Sequence, residues 1–209
     1  MIEIDEASVV VGGVTLLPPV STSVQRGEAL VVRGKNGVGK STLLRLIAGA
    51  SSPSSGEVRI NGVVVRERDR RFRRHVAAMI GLPPMAPDLT VLDHVSLVAT
   101  TWLDEPREAV ALAHSVIEEL GLQELGHRFA HELSSGQTQL FGIALVLARP
   151  FEVLVMDEPE QRLDLDRIHT VIKALCSRRD EGATVVVATH SPLVAEKLAD
   201  RTLLLEVAR

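Results

Sequence analysis

Aromatic side chains are scarce: the 209 residues include no tyrosine, one tryptophan and four phenylalanines. Single-stranded nucleic acid is bound on clustered aromatic faces, and Trp102 and the phenylalanines are too scattered along the chain to form such a platform. Basic charge does not dominate either. The net charge of -4 and pI near 6.0 give no electrostatic footprint for nucleic acid, and no nucleic-acid partner is expected. Cys176 is the sole cysteine, which excludes an internal disulfide and fits a reducing compartment. It reads as a small buried residue on a helix over 170–177. No run approaches the roughly 18 consecutive apolar residues that cross a bilayer. The start, Met1-Ile2-Glu3-Ile4-Asp5-Glu6, is acidic and lacks the layout of a secretion signal. The expectation is a cytoplasmic chain, so any work at a membrane requires a spanning partner.

Hydrophobic residues make up 45% of the chain, enough for the core of one α/β domain of this length. The first 65 residues look strand-rich. Glu28–Arg33 is a short apolar run that feeds a glycine-rich loop, and Lys40–Ala48 carries Leu43, Leu44, Leu46 and Ile47 at helical spacing. Asn61-Gly62 between Val58–Ile60 and Val63–Val65 signals a tight hairpin. Pro83, Pro84 and Pro87 then mark a loop, followed by helical patterns over 89–99, 106–120 and 137–148. The last third alternates strand 153–156, helix 166–177, strand 183–189, helix 192–199 and strand 202–206. Such alternation predicts a largely parallel sheet. Arg66–His75, with six arginines interleaved with Glu67 and Asp69, reads as a solvated hairpin or connector.

Gly34-Lys35-Asn36-Gly37-Val38-Gly39-Lys40-Ser41 satisfies the phosphate-loop pattern, with the strand before it and the helix after it that the pattern requires. Its glycines let backbone N–H groups turn inward to phosphate, and the helix N-terminus adds a favourable dipole. Lys40 is predicted to reach the β- and γ-phosphates, and the Ser41 hydroxyl to ligate Mg²⁺. Asp157 closes the apolar run Val153–Met156, so it belongs at the carboxyl end of a buried strand, where open α/β sheets place ligands. It is a second Mg²⁺ ligand candidate, and Glu158 is placed to orient or deprotonate an attacking water. His190 follows another apolar strand, Ala183–Thr189, and is a candidate for γ-phosphate contact. His75, His94, His114, His127, His131 and His169 read as structural, with no metal-binding spacing among them.

Taken together with Leu133-Ser134-Ser135-Gly136-Gln137, the chain resembles the nucleotide-binding subunit of an ATP-binding cassette (ABC) transporter over nearly its full length. The phosphate loop, LSSGQ, VLVMDEP, Leu163-Asp164 and Thr189-His190 match that family's Walker A, signature, Walker B, D-loop and switch histidine, in order. The resemblance implies a phosphate-loop NTPase core with a mostly parallel sheet, an N-terminal antiparallel β subdomain and an inserted α-helical subdomain. Residues 1–209 would be one ATPase domain, with the helical part at about 82–150. The nucleotide would be held by Gly34, Asn36, Gly37, Val38, Gly39, Lys40, Ser41 and Thr42, with Ser134 and Gly136 contributed across a head-to-tail dimer and Asp164 coupling the two sites. ATP and Mg²⁺ are the implied cofactors. A second copy and a separate transmembrane subunit are the implied partners, placing the protein at the inner face of a membrane.

Three positions depart from the family pattern. Val11 stands where an aromatic stacks on adenine, Gly81 where a glutamine lies near Mg²⁺ and the membrane partner, and Ser135 where glycine is commoner. The expected function is an ATPase that powers a membrane transporter, with export favoured on the chain's compact length. The alternatives are a soluble ABC ATPase of cluster assembly, DNA repair or translation, and a weakly hydrolysing regulatory subunit.

Overall fold

The computed structural model describes residues 2–66, 69 and 72–206. Glu67, Arg68, Arg70 and Arg71 of the arginine-rich connector lie outside the described residues. The chain divides into two compact units. The first comprises Met1–Ile80, Phe151–Glu158 and Leu175–Arg209; the second comprises Gly81–Pro150 and Pro159–Ala174.

The first unit contains two sheets. Strands β1 (Ile2–Val11), β2 (Val14–Val24), β4 (Ser55–Ile60) and β5 (Val63–Val64) form an antiparallel sheet in the order β2-β1-β4-β5. The β4–β5 turn is the Asn61-Gly62 pair, with φ of 51° and 76°. Positive φ at both central residues matches the twist of a two-residue hairpin. The second sheet is wholly parallel, in the order β6-β7-β8-β3-β9, from β3 (Ala29–Arg33), β6 (Val76–Met79), β7 (Val153–Asp157), β8 (Thr184–Ala188) and β9 (Arg201–Leu204). The sequence reading of a mostly parallel sheet thus describes this second sheet.

β3, β7 and β8 are continuous apolar runs because a central parallel strand is covered on both faces. Helix α1 (Lys40–Ile47) packs against both sheets. Its Leu43, Leu44, Leu46 and Ile47 join Ile2, Leu17 and Val24 of one sheet and Leu30, Val155 and Val186 of the other in a single core. Burying such side chains contributes roughly 1.5–3 kcal/mol each. α2 (Phe72–His75) leads directly into β6. Neither element is predicted from the sequence: β6 is Val-Ala-Ala-Met, with two residues of low strand preference.

The register of the parallel sheet positions the chemistry. Val32 pairs with Ala188, and Ala188 pairs with Asp157. The segments leaving β3, β7 and β8 therefore emerge at one level, at the sheet's carboxyl edge.

The second unit is helical, with α3 (Val91–Trp102), α4 (Pro106–Glu119) and α5 (Ser135–Leu147). Thr90 and Asp93 cap α3 reciprocally, and Pro106 opens α4. His94 is buried and structural, as expected. Its Nδ1 lies 2.8 Å from the Thr90 carbonyl and its Nε2 accepts from the Ala86 N–H at 2.8 Å, while the ring meets Phe141 edge-on at 5.3 Å. The Arg149 guanidinium lies 3.7 Å over the Trp102 ring, and burial lowers its pKa to about 10. Helix α6 (Leu165–Asp180) begins in the second unit and ends in the first; α7 (Pro192–Leu198) belongs wholly to the first. Cys176 of α6 is half-buried rather than buried, and desolvation raises its thiol pKa.

Candidate functional site

The loop from Gly34 to Gly39 joins β3 to α1 and depends on glycine at two close approaches. Gly39 has φ 106°, and a Cβ there would sit 2.6 Å from the Leu16 carbonyl and 2.9 Å from Leu17 Cδ1. Gly34 has φ 150°, and its Cβ would lie 2.5 Å from the Leu205 carbonyl. Gly39 is also the N-cap of α1, with no side-chain cap and no acid in the first turn. The helix therefore presents its N-terminal dipole and N–H groups to a cavity of about 400 Å³ lined by Leu16, Asn36, Gly37, Gly39, Lys40, Ser41, Thr42 and Glu158. Leu16 carries no motif, and its only sequence signal is its place after the Gly12-Gly13 turn.

Lys40 is only 6% exposed. Its ammonium donates to the carbonyls of Gly34 at 3.0 Å and Lys35 at 3.1 Å, and lies 2.9 Å from His190 Nε2. The Ser41 hydroxyl donates to Asp157 Oδ2. Glu158 Oε1 is 3.5 Å from His190 Nε2, so the five residues predicted to carry the chemistry (Lys40, Ser41, Asp157, Glu158 and His190) converge in the first unit. His190 is positioned by the chain after β8: Thr189 is fully buried, and its Oγ1 accepts from the Ser191 N–H at 2.9 Å.

A hydroxyl and a carboxylate are the hard oxygen donors that Mg²⁺ takes, with phosphate oxygens and waters completing its shell. Ser41 and Asp157 supply one of each in hydrogen-bond contact, so the donor set fits. Among the described residues no three His, Cys, Asp or Glu side chains converge into an all-protein cage.

Ser134, Gly136 and Asp164 lie in the second unit. Ser134 caps α5 reciprocally: its Oγ accepts from the Gln137 N–H at 3.4 Å, and the Gln137 side chain accepts from the Ser134 N–H at 2.8 Å. The helix consequently begins at Ser135, two residues before the predicted start at Gln137. Gly136 lies in its first turn, where a Cβ would meet the Arg162 carbonyl at 2.8 Å. Asp164 caps α6 by accepting from the Arg167 N–H at 2.9 Å. Of the three departures from the family pattern, Ser135 opens α5, Val11 is 59% exposed at the end of β1, and Gly81 is exposed with φ 83°.

A family model described as ABC transporter matches residues 17–161. The glutamine transport ATP-binding protein GlnQ of Escherichia coli (strain K12) is 33% identical over 100% of this chain and 89% of that protein. The chain belongs to the ABC transporter family. A phosphonates import ATP-binding protein, PhnC 2 of Nostoc sp. (strain PCC 7120 / SAG 25.82 / UTEX 2576), is also 33% identical, over 93% of this chain and 83% of that protein. Among solved structures, the dimeric post-hydrolysis state of the ATP-binding cassette MJ0796 bound to ADP and Pi superposes with a TM-score of 0.88 at 26% identity, covering 100% of this chain and 97% of that one.

This ABC protein is an ATP-hydrolysing enzyme coupled to transport, with the mixed α/β cassette fold. The expectation of an exporter is not upheld: it rested on chain length, and the relatives named above are described by glutamine transport and phosphonate import.

Proposed function

We infer that the chain is the ATPase subunit of an importer, pairs with a second copy when ATP is bound, and docks on a separate transmembrane subunit at the inner face of a membrane. The observation that carries the ATPase part of this reading is the convergence of Lys40, Ser41, Asp157, Glu158 and His190 at one sheet edge. The import names of relatives and the dimeric state of a structural neighbour support the direction and the pairing. No described helix is long and apolar enough to cross a membrane; in this reading the partner supplies the pathway. Residues 1–209 act as one ATPase domain, with 82–150 as its helical subdomain.

In this reading the N–H groups of Gly37 to Thr42 and the ammonium of Lys40 bind the β- and γ-phosphates. On nucleotide entry, Lys40 exchanges the Gly34 and Lys35 carbonyls for phosphate oxygens. Ser41 and Asp157 would hold Mg²⁺, which would supply positive charge against the transferring phosphoryl group. Glu158 orients the attacking water and accepts its proton, while His190 contacts the γ-phosphate. Ser134 and Gly136 complete the site of the opposing copy, and Asp164 links the two sites.

The test is Glu158→Gln, which keeps size and hydrogen bonding but removes the base. Turnover is expected to fall at least about a hundredfold, and ATP is expected to convert the monomer to a stable dimer on size-exclusion chromatography. Normal turnover would remove Glu158 from this role. Recovery with ribosomes or DNA, in place of a multi-spanning membrane protein, would overturn the transport assignment.

A further inference from the structure

Glu158 is held in a conformation that its local sequence disfavours. Its φ of 48° lies in the left-handed region, uncommon for a residue with a side chain. The following Pro159 biases its predecessor toward extended backbone as well. Such a conformation persists only where its surroundings over-determine it.

Two contacts flank this joint. On the amino side, the Glu158 N–H donates to the Ala188 carbonyl of β8 at 2.8 Å. On the carboxyl side, the Pro159 carbonyl accepts from Gln139 Nε2 at 3.2 Å. Gln139 is 4% exposed and sits in α5, beyond the Ser134 cap, and the other buried side chains of that helix are apolar. A primary amide is disfavoured there unless it is hydrogen-bonded. The Glu158–Pro159 peptide is also where the chain passes from the first unit to the second.

We propose that Gln139 is a positioning residue for hydrolysis: its grip on the Pro159 carbonyl keeps Glu158 in its left-handed conformation and ties α5 to the loop that carries the base. The proposal rests on the role given to Glu158 above and adds a route to it. Ser134 and Gly136, at the start of α5, act on the opposing copy's nucleotide, and Gln139 hangs from the same helix. Engagement of the partner's ATP by α5 thereby bears on the carboxylate that hydrolyses the subunit's own ATP.

Gln139→Met removes the donor while keeping the length of the side chain, and Gln139→Leu removes it with a different shape, should the methionine fail to pack. Each full-length variant is assayed for ATP turnover and, separately, for binding of a fluorescent ATP analogue. The expected result is a kcat lower by about tenfold or more, as misplacement of a reacting group gives, with KM and analogue Kd within twofold of wild type. A kcat within twofold of wild type in either folded variant overturns the proposal. So does a loss of nucleotide affinity that matches the loss of kcat, because that reports general disruption of the site. Glu158→Gln, run in parallel, separates the two readings. If it turns over normally, the role of Glu158 itself falls. If it is inactive while both Gln139 variants are normal, only the role of Gln139 falls.

Discussion

Lys40→Met separates the ligand's share of the phosphate site from the fold's share. The ammonium is almost fully buried, with two carbonyls and an imidazole nitrogen as partners. Hydrogen bonds to a charged group contribute about 1.5–3 kcal/mol each, whereas desolvating an ammonium costs several kcal/mol. These terms nearly cancel. The vacated carbonyls are reachable by water, since Gly34 is half-buried and Lys35 is exposed. The fold is therefore expected to change by no more than about 1 kcal/mol, a shift of roughly 2–4 °C in Tm for a domain of this size. Nucleotide binding is a different matter. A unit charge about 4 Å from a phosphate oxygen is worth roughly 4 kcal/mol at the effective dielectric of a protein surface. Even half of that lowers affinity about thirtyfold. The assay is a thermal melt without nucleotide, followed by titration with a fluorescent ATP analogue on the same preparation. The reasoning is refuted by a Tm more than about 10 °C lower with affinity within threefold of wild type, which would make Lys40 a structural strut.

Other perturbations probe the surroundings. Gly39→Ala places a Cβ 2.6 Å from the Leu16 carbonyl at a φ of 106°; strain and overpacking together predict about 2–5 kcal/mol lost, and chemical denaturation measures it. Val11→Tyr supplies the missing ring at an exposed site; stacking worth about 1–3 kcal/mol predicts ATP binding at least about fivefold tighter, and an unchanged Kd in calorimetry removes Val11 from the base site. Glu152 is held below the usual carboxylate range chiefly by its hydrogen bond with His75, with a further bond from Asn61. Its contribution to stability is therefore present above the unfolded glutamate pKa near 4.3 and fades as pH falls through the lower folded value. Because the pair is partly exposed, Glu152→Gln should destabilise by no more than about 1 kcal/mol at pH 7, and the gap to wild type should close in acid; a gap that widens in acid contradicts the assignment.

The phosphate loop and β7 were legible because their physics is local. Glycine positions answer to positive φ, and a parallel strand covered on both faces must be apolar throughout. The start of α5 was also legible in principle, since Ser134-Ser135-Gly136-Gln137 is a capping-box pattern, and reading the helix from Gln137 overlooked it. β6 was not, because its two alanines carry weak strand preference and its place comes from pairing with β7. The role of Gln139 and the partners of His94 lie beyond sequence reasoning for a related cause. One meets a carbonyl twenty residues away, and the other sits between Thr90 and Ala86, and neither arrangement leaves a periodic trace.

The stack of Arg149 on Trp102 makes the protein a single-dye instrument. With one indole and no phenol ring in the sequence, emission excited near 295 nm arises from one address in the helical unit, under a guanidinium 3.7 Å from the ring centroid. The phosphate loop belongs to the other unit and contains no comparable fluorophore. A change in that emission when nucleotide is added would therefore report a disturbance in the helical unit, without any label having been attached.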